Sequence, residues 1–313
     1  MRASSSPPVY VPRRAARSGF EIVRGLRLHL THWGEPHLAT PTRPALVLLH
    51  GWMDVGASYQ FLVDALHELE GPGRWIVAPD WRGFGRSDAP AADSYWFPDY
   101  LGDLDTLLDL IAPEGVVDLL GHSMGGNVAM LYAGLKPQRV RRLVNLEGFG
   151  LPRAQAEEAP QRLLQWLQTL RTPPRLRPYA SLAAVAERLL ANDPRLAPER
   201  AAWLAPHWAR AAAGGGFELR ADPAHKRVNP VLYQVDEVLA CWRRITAPLL
   251  WVEGELTDTD RWWGSRYSRA EFHARLDVVP RLERQRLAAA GHMLHHDQPE
   301  ALAALLRRFL HEG

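Results

Sequence analysis

Residues 115–130, GVVDLLGHSMGGNVAM, contain the feature that decides the fold. An apolar run predicts a buried strand, the stretch after it predicts a helix, and Ser123 stands between glycines at the junction. A strand that reverses directly into a helix leaves its turn residue in a strained backbone conformation, so the neighbouring residues must be small. We therefore predict that Ser123 projects from the carboxyl edge of a sheet, where the backbone N–H of Met124 points to a developing oxyanion.

Outside this stretch, short apolar runs alternate with helical patterns, which favours a mostly parallel sheet with helices on both faces. The candidate strands are residues 43–51, 73–80, 115–121, 141–148, 247–255 and 283–291, and the candidate helices are residues 58–69, 100–111, 126–135 and 300–310. Residues 20–34 instead predict an opening antiparallel hairpin that turns at Gly25. The chain is therefore expected to form an α/β fold.

The alternation stops near residue 151 and resumes near residue 246. The sequence between them is helical, is interrupted by prolines and contains no convincing strand. Because long loops without structure of their own are uncommon, we interpret residues 151–245 as a helical cap, or lid, over Ser123. Residues 19–150 and 246–313 then form the core. Residues 1–18, rich in serine, proline and arginine, are expected to be a flexible N-terminal arm.

Composition excludes several classes of protein. The 313 residues are 47% hydrophobic, which is ample for a large core, and 37 basic residues nearly balance 35 acidic ones. That balance argues against a nucleic-acid binder, and no apolar run approaches the roughly 20 residues that span a bilayer. Cys241 is the only cysteine, which excludes an intrachain disulfide. Since the N-terminus also lacks the apolar stretch of a secretory signal, we expect a cytoplasmic protein that binds neither nucleic acid nor membranes.

Together with the serine turn, three further motifs resemble the α/β-hydrolase superfamily over most of the chain. LLHGWMD (48–54) is similar to the loop after the third strand, and DWRGFGRSD (80–88) is similar to the segment after the fourth strand. AAGHMLHHDQPEAL (289–302) resembles the loop that carries the catalytic histidine. The resemblance implies the α/β-hydrolase fold, with a mostly parallel eight-stranded sheet flanked by helices and a helical cap insertion. HGWMDVGASYQ (50–60) is similar to the serine-hydrolase-like branch.

The resemblance also implies a catalytic triad. Ser123 matches the nucleophile, and His292, the residue after the glycine of the last motif, matches the general base. The backbone N–H groups of Trp52 and Met124 match the two oxyanion donors of the family. These residues would carry out acyl transfer.

Four other histidines lie close to these motifs. His50 and His122 belong to the two oxyanion loops, which we expect them to support by hydrogen bonds. His295 and His296 follow His292 closely, but a metal site would need a second cluster of ligands. We therefore expect no metal ion and no cofactor.

The triad acid is the position where this sequence departs from the family pattern. After the seventh strand, the family spelling Gly-x-x-Asp is replaced by EGELTDTD (253–260), in which Asp258 comes one residue late. A loop one residue longer could still deliver Asp258 to His292, and we favour this residue as the acid. Glu147, at the end of the preceding strand, is the alternative, because some relatives, such as haloalkane dehalogenases, carry a glutamate there. Asp260 ranks third.

Aromatic residues are the candidates for substrate binding. Such residues usually pack in a core, but their number in the predicted cap and around the motifs indicates an apolar pocket. Trp52 lies beside the oxyanion loop and Trp262 follows the seventh strand, while Trp166 and Trp208 belong to the cap. We therefore expect a small, apolar ester as the substrate.

The predicted function is a carboxylesterase-like serine hydrolase that works through an acyl-enzyme intermediate. A serine nucleophile argues against dehalogenase or epoxide-hydrolase chemistry, which needs a carboxylate to form an alkyl ester. Two alternatives stay open. The same triad would serve carbon–carbon bond hydrolysis or cofactor-free perhydrolysis, and the same fold would also serve a non-catalytic ligand-binding protein.

Overall fold

The computed structural model describes residues 9–311. The strands are β1 (Arg17–Val23), β2 (Leu26–Trp33), β3 (Leu46–Leu49), β4 (Ile76–Pro79), β5 (Val117–His122), β6 (Val140–Leu146), β7 (Ala209–Ala211), β8 (Phe217–Leu219), β9 (Leu249–Gly254) and β10 (Leu282–Leu287). The α-helices are α1 (Gln60–Glu70), α2 (Phe97–Ile111), α3 (Met124–Leu135), α4 (Ala159–Arg171), α5 (Leu182–Asn192), α6 (Pro198–Trp208), α7 (Val235–Trp242), α8 (Asp260–Trp263), α9 (Arg269–Leu276), α10 (Leu294–Asp297) and α11 (Pro299–His311). Within the described residues, none of these helices is long and apolar enough to cross a membrane.

Eight strands form the central sheet, in the order β1-β2-β4-β3-β5-β6-β9-β10. Within this sheet β4, β3, β5, β6, β9 and β10 pair in parallel, whereas β2 runs antiparallel to both β1 and β4. The β1–β2 hairpin turns at Gly25, whose φ of +80° suits glycine better than any residue with a side chain. The predicted α/β-hydrolase fold and the opening hairpin are therefore confirmed.

Strand β5 is buried at every position, as is typical of a central parallel strand with helices on both faces of the sheet. Successive side chains point to opposite sides, so Leu119 packs in one hydrophobic cluster and Leu120 packs in another. The first cluster includes residues of α2, α3 and α7, and the second includes residues of α1 and α11. Helices on both faces thus leave only the ends of the strands open, and Ser123 directly follows one such end.

The segment between β6 and β9 contains four longer helices, α4 to α7, and also the two-stranded hairpin β7–β8. The expectation that residues 151–245 contain no strand was wrong in this detail. The hairpin strands have three residues each, too few to show an alternating pattern, and Gly215 and Gly216 reverse the chain with φ values of +91° and +72°. The role of residues 151–245 as a separate cap stays a prediction.

Residues 1–18 were expected to form a flexible N-terminal arm, but residues 10–14 are held against α1. Asp64 of α1 accepts hydrogen bonds from the Tyr10 hydroxyl at 2.6 Å and from the Arg14 backbone N–H at 2.8 Å. The Arg14 side chain is buried, and β1 already begins at Arg17. The buried carboxylate of Asp64 therefore anchors residues 10–14. Residues 1–8 lie outside the described residues.

Candidate active site

Ser123 occupies the sharp turn between β5 and α3. Its φ of +52° and ψ of −116° lie in a region that residues with a side chain rarely adopt. Such a conformation costs of order 1–3 kcal/mol and persists only where the surroundings impose it. The Ser123 N–H donates to the Leu146 carbonyl at 2.8 Å, and the Ser123 carbonyl accepts from the Asn127 N–H at 3.0 Å. The strain expected from the sequence is present.

The glycines around Ser123 are required by close backbone contacts. A Cβ on Gly121 would lie 2.2 Å from the Gly125 carbonyl oxygen, and a Cβ on Gly125 would lie 2.1 Å from the Leu49 carbonyl oxygen. Both distances are far shorter than a van der Waals contact. The atoms that would be contacted belong to the backbone, so they cannot move aside as a flexible side chain could. The start of α3 therefore crosses the ends of β3 and β5 at a distance that only glycine permits.

Ser123, His292 and Glu147 are hydrogen-bonded in series. The Ser123 hydroxyl lies 3.1 Å from Nε2 of His292, and Nδ1 of His292 lies 2.8 Å from Oε2 of Glu147. The Glu147 side chain is fully buried, whereas that of His292 is 28% exposed. A carboxylate at Nδ1 favours the tautomer whose N–H points to Glu147, which leaves Nε2 free to accept the serine proton.

Of the two candidate acids, the structure brings Glu147 rather than Asp258 to His292. Glu147 directly follows β6, which pairs with β9, and its second oxygen accepts hydrogen bonds from the Gly254 N–H at 2.6 Å and the Thr257 hydroxyl at 2.7 Å. Thr257 thus occupies the place at which the family spelling has aspartate, and it contacts the glutamate directly.

Asp258, the acid favoured from the sequence, is exposed and is not brought to His292. Its Oδ1 accepts hydrogen bonds from the backbone N–H groups of Asp260 and Arg261, at 3.1 and 3.2 Å. The side chain therefore stabilises the start of the short helix α8. Asp260 is the first residue of that helix and is exposed as well.

The two proposed oxyanion donors lie beside Ser123 at the cavity described below. Met124 is the first residue of α3, and the first N–H groups of a helix have no partner within it. Trp52 lies in the loop after β3, and half of its side chain is exposed. Both residues line the same cavity as Ser123 and His292.

His50 contacts its own loop after β3, as the sequence analysis expected, whereas His122 contacts the loop that carries His292 rather than an oxyanion loop. Nδ1 of His50 donates to the Gly51 carbonyl at 2.7 Å, and Nε2 accepts from the Trp81 N–H at 2.9 Å. Nε2 of His122 donates to the backbone carbonyl of His292 at 2.7 Å. Burial lowers the pKa of both imidazoles, that of His50 to about 4, so both rings are neutral near pH 7.

Several buried or half-buried histidines are expected to make the stability of the fold sensitive to acid. Burial lowers the pKa to about 4 in His32, His50, His207, His225 and His296. Between pH 6.5 and 4 the unfolded chain binds protons that the folded chain refuses, so the free energy of unfolding falls as the pH falls. Each such histidine contributes a slope of about 1.4 kcal/mol per pH unit within that window.

Urea unfolding at pH 7, 6 and 5 measures this slope. In His50→Gln we expect the slope to become shallower by about 1.4 kcal/mol per pH unit, whatever the variant's stability at pH 7. His37→Gln is the matched control, because His37 is exposed. An unchanged slope in His50→Gln would contradict the prediction.

Asp54, His122 and His295 form a second cluster behind the Ser123 turn. Each is buried, and each offers one possible metal ligand, with the three atoms within 4.8 Å of one another. Among residues 9–311, Oδ2 of Asp54, Nδ1 of His122 and both ring nitrogens of His295 have no hydrogen-bond partner. Burial raises the pKa of Asp54 to about 7 and lowers that of both imidazoles. This cluster supplies the second set of ligands that a metal site would require, and the absence of a metal stays a prediction.

A cavity of about 390 Å³ opens onto Ser123 and His292. Eight aromatic residues contribute to its lining: Trp52, Tyr95, Trp96, Phe97, Tyr100, Phe149, Trp262 and Trp263. The Trp262 ring packs edge-on against His292, with 4.6 Å between the ring centroids. Arg227 and Asn229, from the predicted cap, add polar groups to the lining.

Two of the four predicted substrate-binding tryptophans, Trp52 and Trp262, line this cavity, and the other two do not. The Trp208 indole donates to the Ser58 hydroxyl at 3.3 Å and packs beside the buried Leu204. Trp166 lies on α4, a helix without buried residues. The sequence analysis did not identify the run YWFPDY (95–100), before and within α2, as part of the cavity lining. Its four aromatic residues within six positions could have indicated this role.

Comparisons with known proteins agree with this fold. A family model described as alpha/beta hydrolase fold matches residues 44–299. Epoxide hydrolase 3 of Siraitia grosvenorii is 34% identical over 130 residues, which are 41% of this chain and 38% of the relative. A serine hydrolase-like protein of Danio rerio is 36% identical over 120 residues, 38% of this chain and 33% of the relative. The chain thus spans little more than a third of the length of these curated relatives.

Solved structures cover nearly the whole chain. The thioesterase domain from the curacin biosynthetic pathway superposes with a TM-score of 0.77 at 25% identity, over 94% of this chain and 99% of that one. A hypothetical protein of Pseudomonas aeruginosa superposes with a TM-score of 0.78 at 27% identity, over 94% and 98%. Both superpositions therefore extend over nearly the full length of this chain and of the solved structure.

Proposed function

Because this chain belongs to the α/β-hydrolase fold family, we propose that it is a serine hydrolase that cleaves small carboxylic esters through an acyl-enzyme intermediate. The observation that carries the proposal is the series of hydrogen bonds from Ser123 through His292 to the buried Glu147. This series ends at a cavity in which an ester carbonyl would meet the serine hydroxyl.

The proposed roles follow from the geometry. Ser123 Oγ attacks the ester carbonyl while Nε2 of His292 takes its proton, and His292 then passes that proton to the departing alcohol. Glu147 holds the imidazole in the required tautomer and stabilises its protonated form. The N–H groups of Trp52 and Met124 bind the oxyanion, a contribution of about 2.7–4 kcal/mol per donor in a serine protease.

A serine nucleophile favours acyl substrates over epoxides, although an epoxide hydrolase is among the relatives. Attack by Ser123 on an epoxide carbon would form an ether, which water does not readily cleave. Attack on a carbonyl forms an ester, which a water molecule activated by His292 hydrolyses. The nucleophile therefore selects the reaction class.

The cavity supports a small and largely apolar substrate. Its volume of about 390 Å³ lies at the lower end of ligand pockets, and eight aromatic residues contribute to the lining. Among p-nitrophenyl esters, kcat/KM is expected to rise from acetyl to medium acyl chains and to fall once the chain outgrows the cavity.

Active-site labelling tests the proposal. A fluorophosphonate should form an adduct on the peptide that carries Ser123, and the Ser123→Ala variant should lose both that adduct and ester turnover. Equal ester turnover in wild type and Ser123→Ala would refute it. Tight ligand binding without a burst of product would instead identify a binding protein.

We also propose a cytoplasmic location. Its support is Cys241, the only cysteine of the chain, which has no partner for an intrachain disulfide. Small secreted domains often depend on disulfides, whereas a reducing compartment keeps thiols free.

A further inference from the structure

A second serine, histidine and aspartate are hydrogen-bonded in series away from the cavity at Ser123. The Ser18 hydroxyl lies 2.7 Å from Nε2 of His29, and Nδ1 of His29 lies 2.8 Å from Oδ2 of Asp80. We propose that Ser18 is a second nucleophilic serine, which accepts an acyl or phosphonyl group from small activated electrophiles. The corresponding distances at Ser123 are 3.1 and 2.8 Å, so the second series is at least as tight.

Three neighbouring strands hold these residues in place. Ser18 lies on β1 opposite Thr31 of β2, and His29 lies two residues before Thr31, on the same face of the hairpin. Asp80 directly follows β4, the other neighbour of β2, and its backbone N–H donates to the His29 carbonyl at 2.8 Å. The arrangement is therefore built on paired strands rather than on a loose loop.

Asp80 is suited to accept the hydrogen bond from Nδ1 of His29 as a charged carboxylate. Its side chain is 4% exposed, and it accepts backbone hydrogen bonds from Gly56 at 2.7 Å and Arg86 at 2.9 Å. Burial acts to raise the pKa of Asp80, but its hydrogen bonds, first of all that from His29, outweigh burial and lower it. A carboxylate at Nδ1 leaves Nε2 of His29 as the acceptor for the Ser18 proton.

Ser18 is accessible and has a positive charge nearby. It is exposed at a cavity of about 180 Å³ that His29, Arg86 and His207 also line. Within residues 9–311 the Arg86 guanidinium forms no hydrogen bond or ion pair, so it is available to a developing oxyanion. The cavity has less than half the volume of that at Ser123, about 390 Å³, which restricts the electrophile to a short group.

The proposed reaction needs only Ser18, His29 and the electrophile, and no additional reactant. With a fluorophosphonate, a bond forms between Ser18 Oγ and phosphorus, the phosphorus–fluorine bond breaks, and fluoride leaves while His29 Nε2 takes the serine proton. With an activated ester, the acyl group moves to Oγ, and the departing alcohol receives that proton from His29.

The test uses the Ser123→Ala protein, so that the main nucleophile is absent. After treatment with diisopropyl fluorophosphate, peptide mass spectrometry should find an adduct at Ser18, formed at least ten times more slowly in the His29→Gln background. Ser87 is the internal control, because its hydroxyl contacts the backbone of both His29 and Asp80 but no imidazole nitrogen. No adduct at Ser18, or one that forms equally fast without His29, would overturn the proposal.

A thiol in place of the serine gives a second readout if His29→Gln does not fold. The Ser18→Cys thiol, paired with His29, should react with iodoacetamide with an apparent pKa below 7, against about 8.5 for an ordinary thiol. Cys241 serves as the reference in the same molecule, since burial raises its pKa. An apparent pKa of 8.5 or above for the introduced thiol would also overturn the proposal.

Discussion

Replacing Glu147 with glutamine is expected to lower kcat for ester hydrolysis about 10⁴-fold, the loss seen when a serine protease loses the charge of its triad acid. The corresponding Asp258→Asn variant should stay within about threefold of wild type, as is usual for surface substitutions. The two variants remove one charge each and differ only in what that charge contacts.

The physical reason lies in the two oxygens of Glu147. Oε1 accepts hydrogen bonds from the Gly254 N–H and the Thr257 hydroxyl, and Oε2 accepts from Nδ1 of His292. Because glutamine has only one acceptor oxygen, keeping that oxygen on Gly254 and Thr257 turns its NH₂ group towards His292. The imidazole would then adopt the tautomer that protonates Nε2, which prevents it from accepting the Ser123 proton.

Steady-state kinetics with a p-nitrophenyl ester measure both variants, and urea unfolding shows whether each is folded. Asp258→Asn keeps the oxygen that caps α8, so the fold of this control should be undisturbed. Near-normal turnover in Glu147→Gln together with a large loss in Asp258→Asn would show that the protein rearranges to use Asp258 as its acid.

Gly125→Ala is expected to lower the free energy of unfolding by roughly 3 kcal/mol, the upper part of the range for overpacked sites. In an open helix the same change would stabilise by about 1 kcal/mol, because alanine has the higher helix propensity. Here the new Cβ would lie 2.1 Å from the Leu49 carbonyl oxygen, so the steric clash outweighs the gain in propensity. The turn would have to open, which also displaces Ser123.

Urea unfolding of Gly125→Ala and Gly115→Ala measures the difference. At Gly115 the nearest atom to a new Cβ is the Ala112 Cβ at 3.6 Å, an ordinary contact, so stability there should change by less than about 1 kcal/mol. A Gly125→Ala protein as stable as wild type, with full ester turnover, would mean that the crossing of α3 over β3 is looser than the structure indicates.

The sequence by itself determined the features whose physical cause is local. A buried strand, a strained turn and a helix follow one another at Ser123, and small residues are required within a few positions of it. The order of strands and helices could be read for the same reason, because apolar periodicity is a property of neighbouring residues. His292 was identified through the motif around it, and the structure brings its ring to Ser123.

Only the tertiary structure decided what depends on distant segments. Glu147 meets Gly254 across 107 residues because β6 and β9 pair side by side, and Thr257 then occupies the place that an aspartate was expected to fill. Sequence spacing favoured Asp258, since a change of one residue in a loop decides whether a side chain turns inward or caps a helix. The aromatic lining likewise depends on which face each helix buries, so Trp262 reaches the cavity and Trp208 packs away from it.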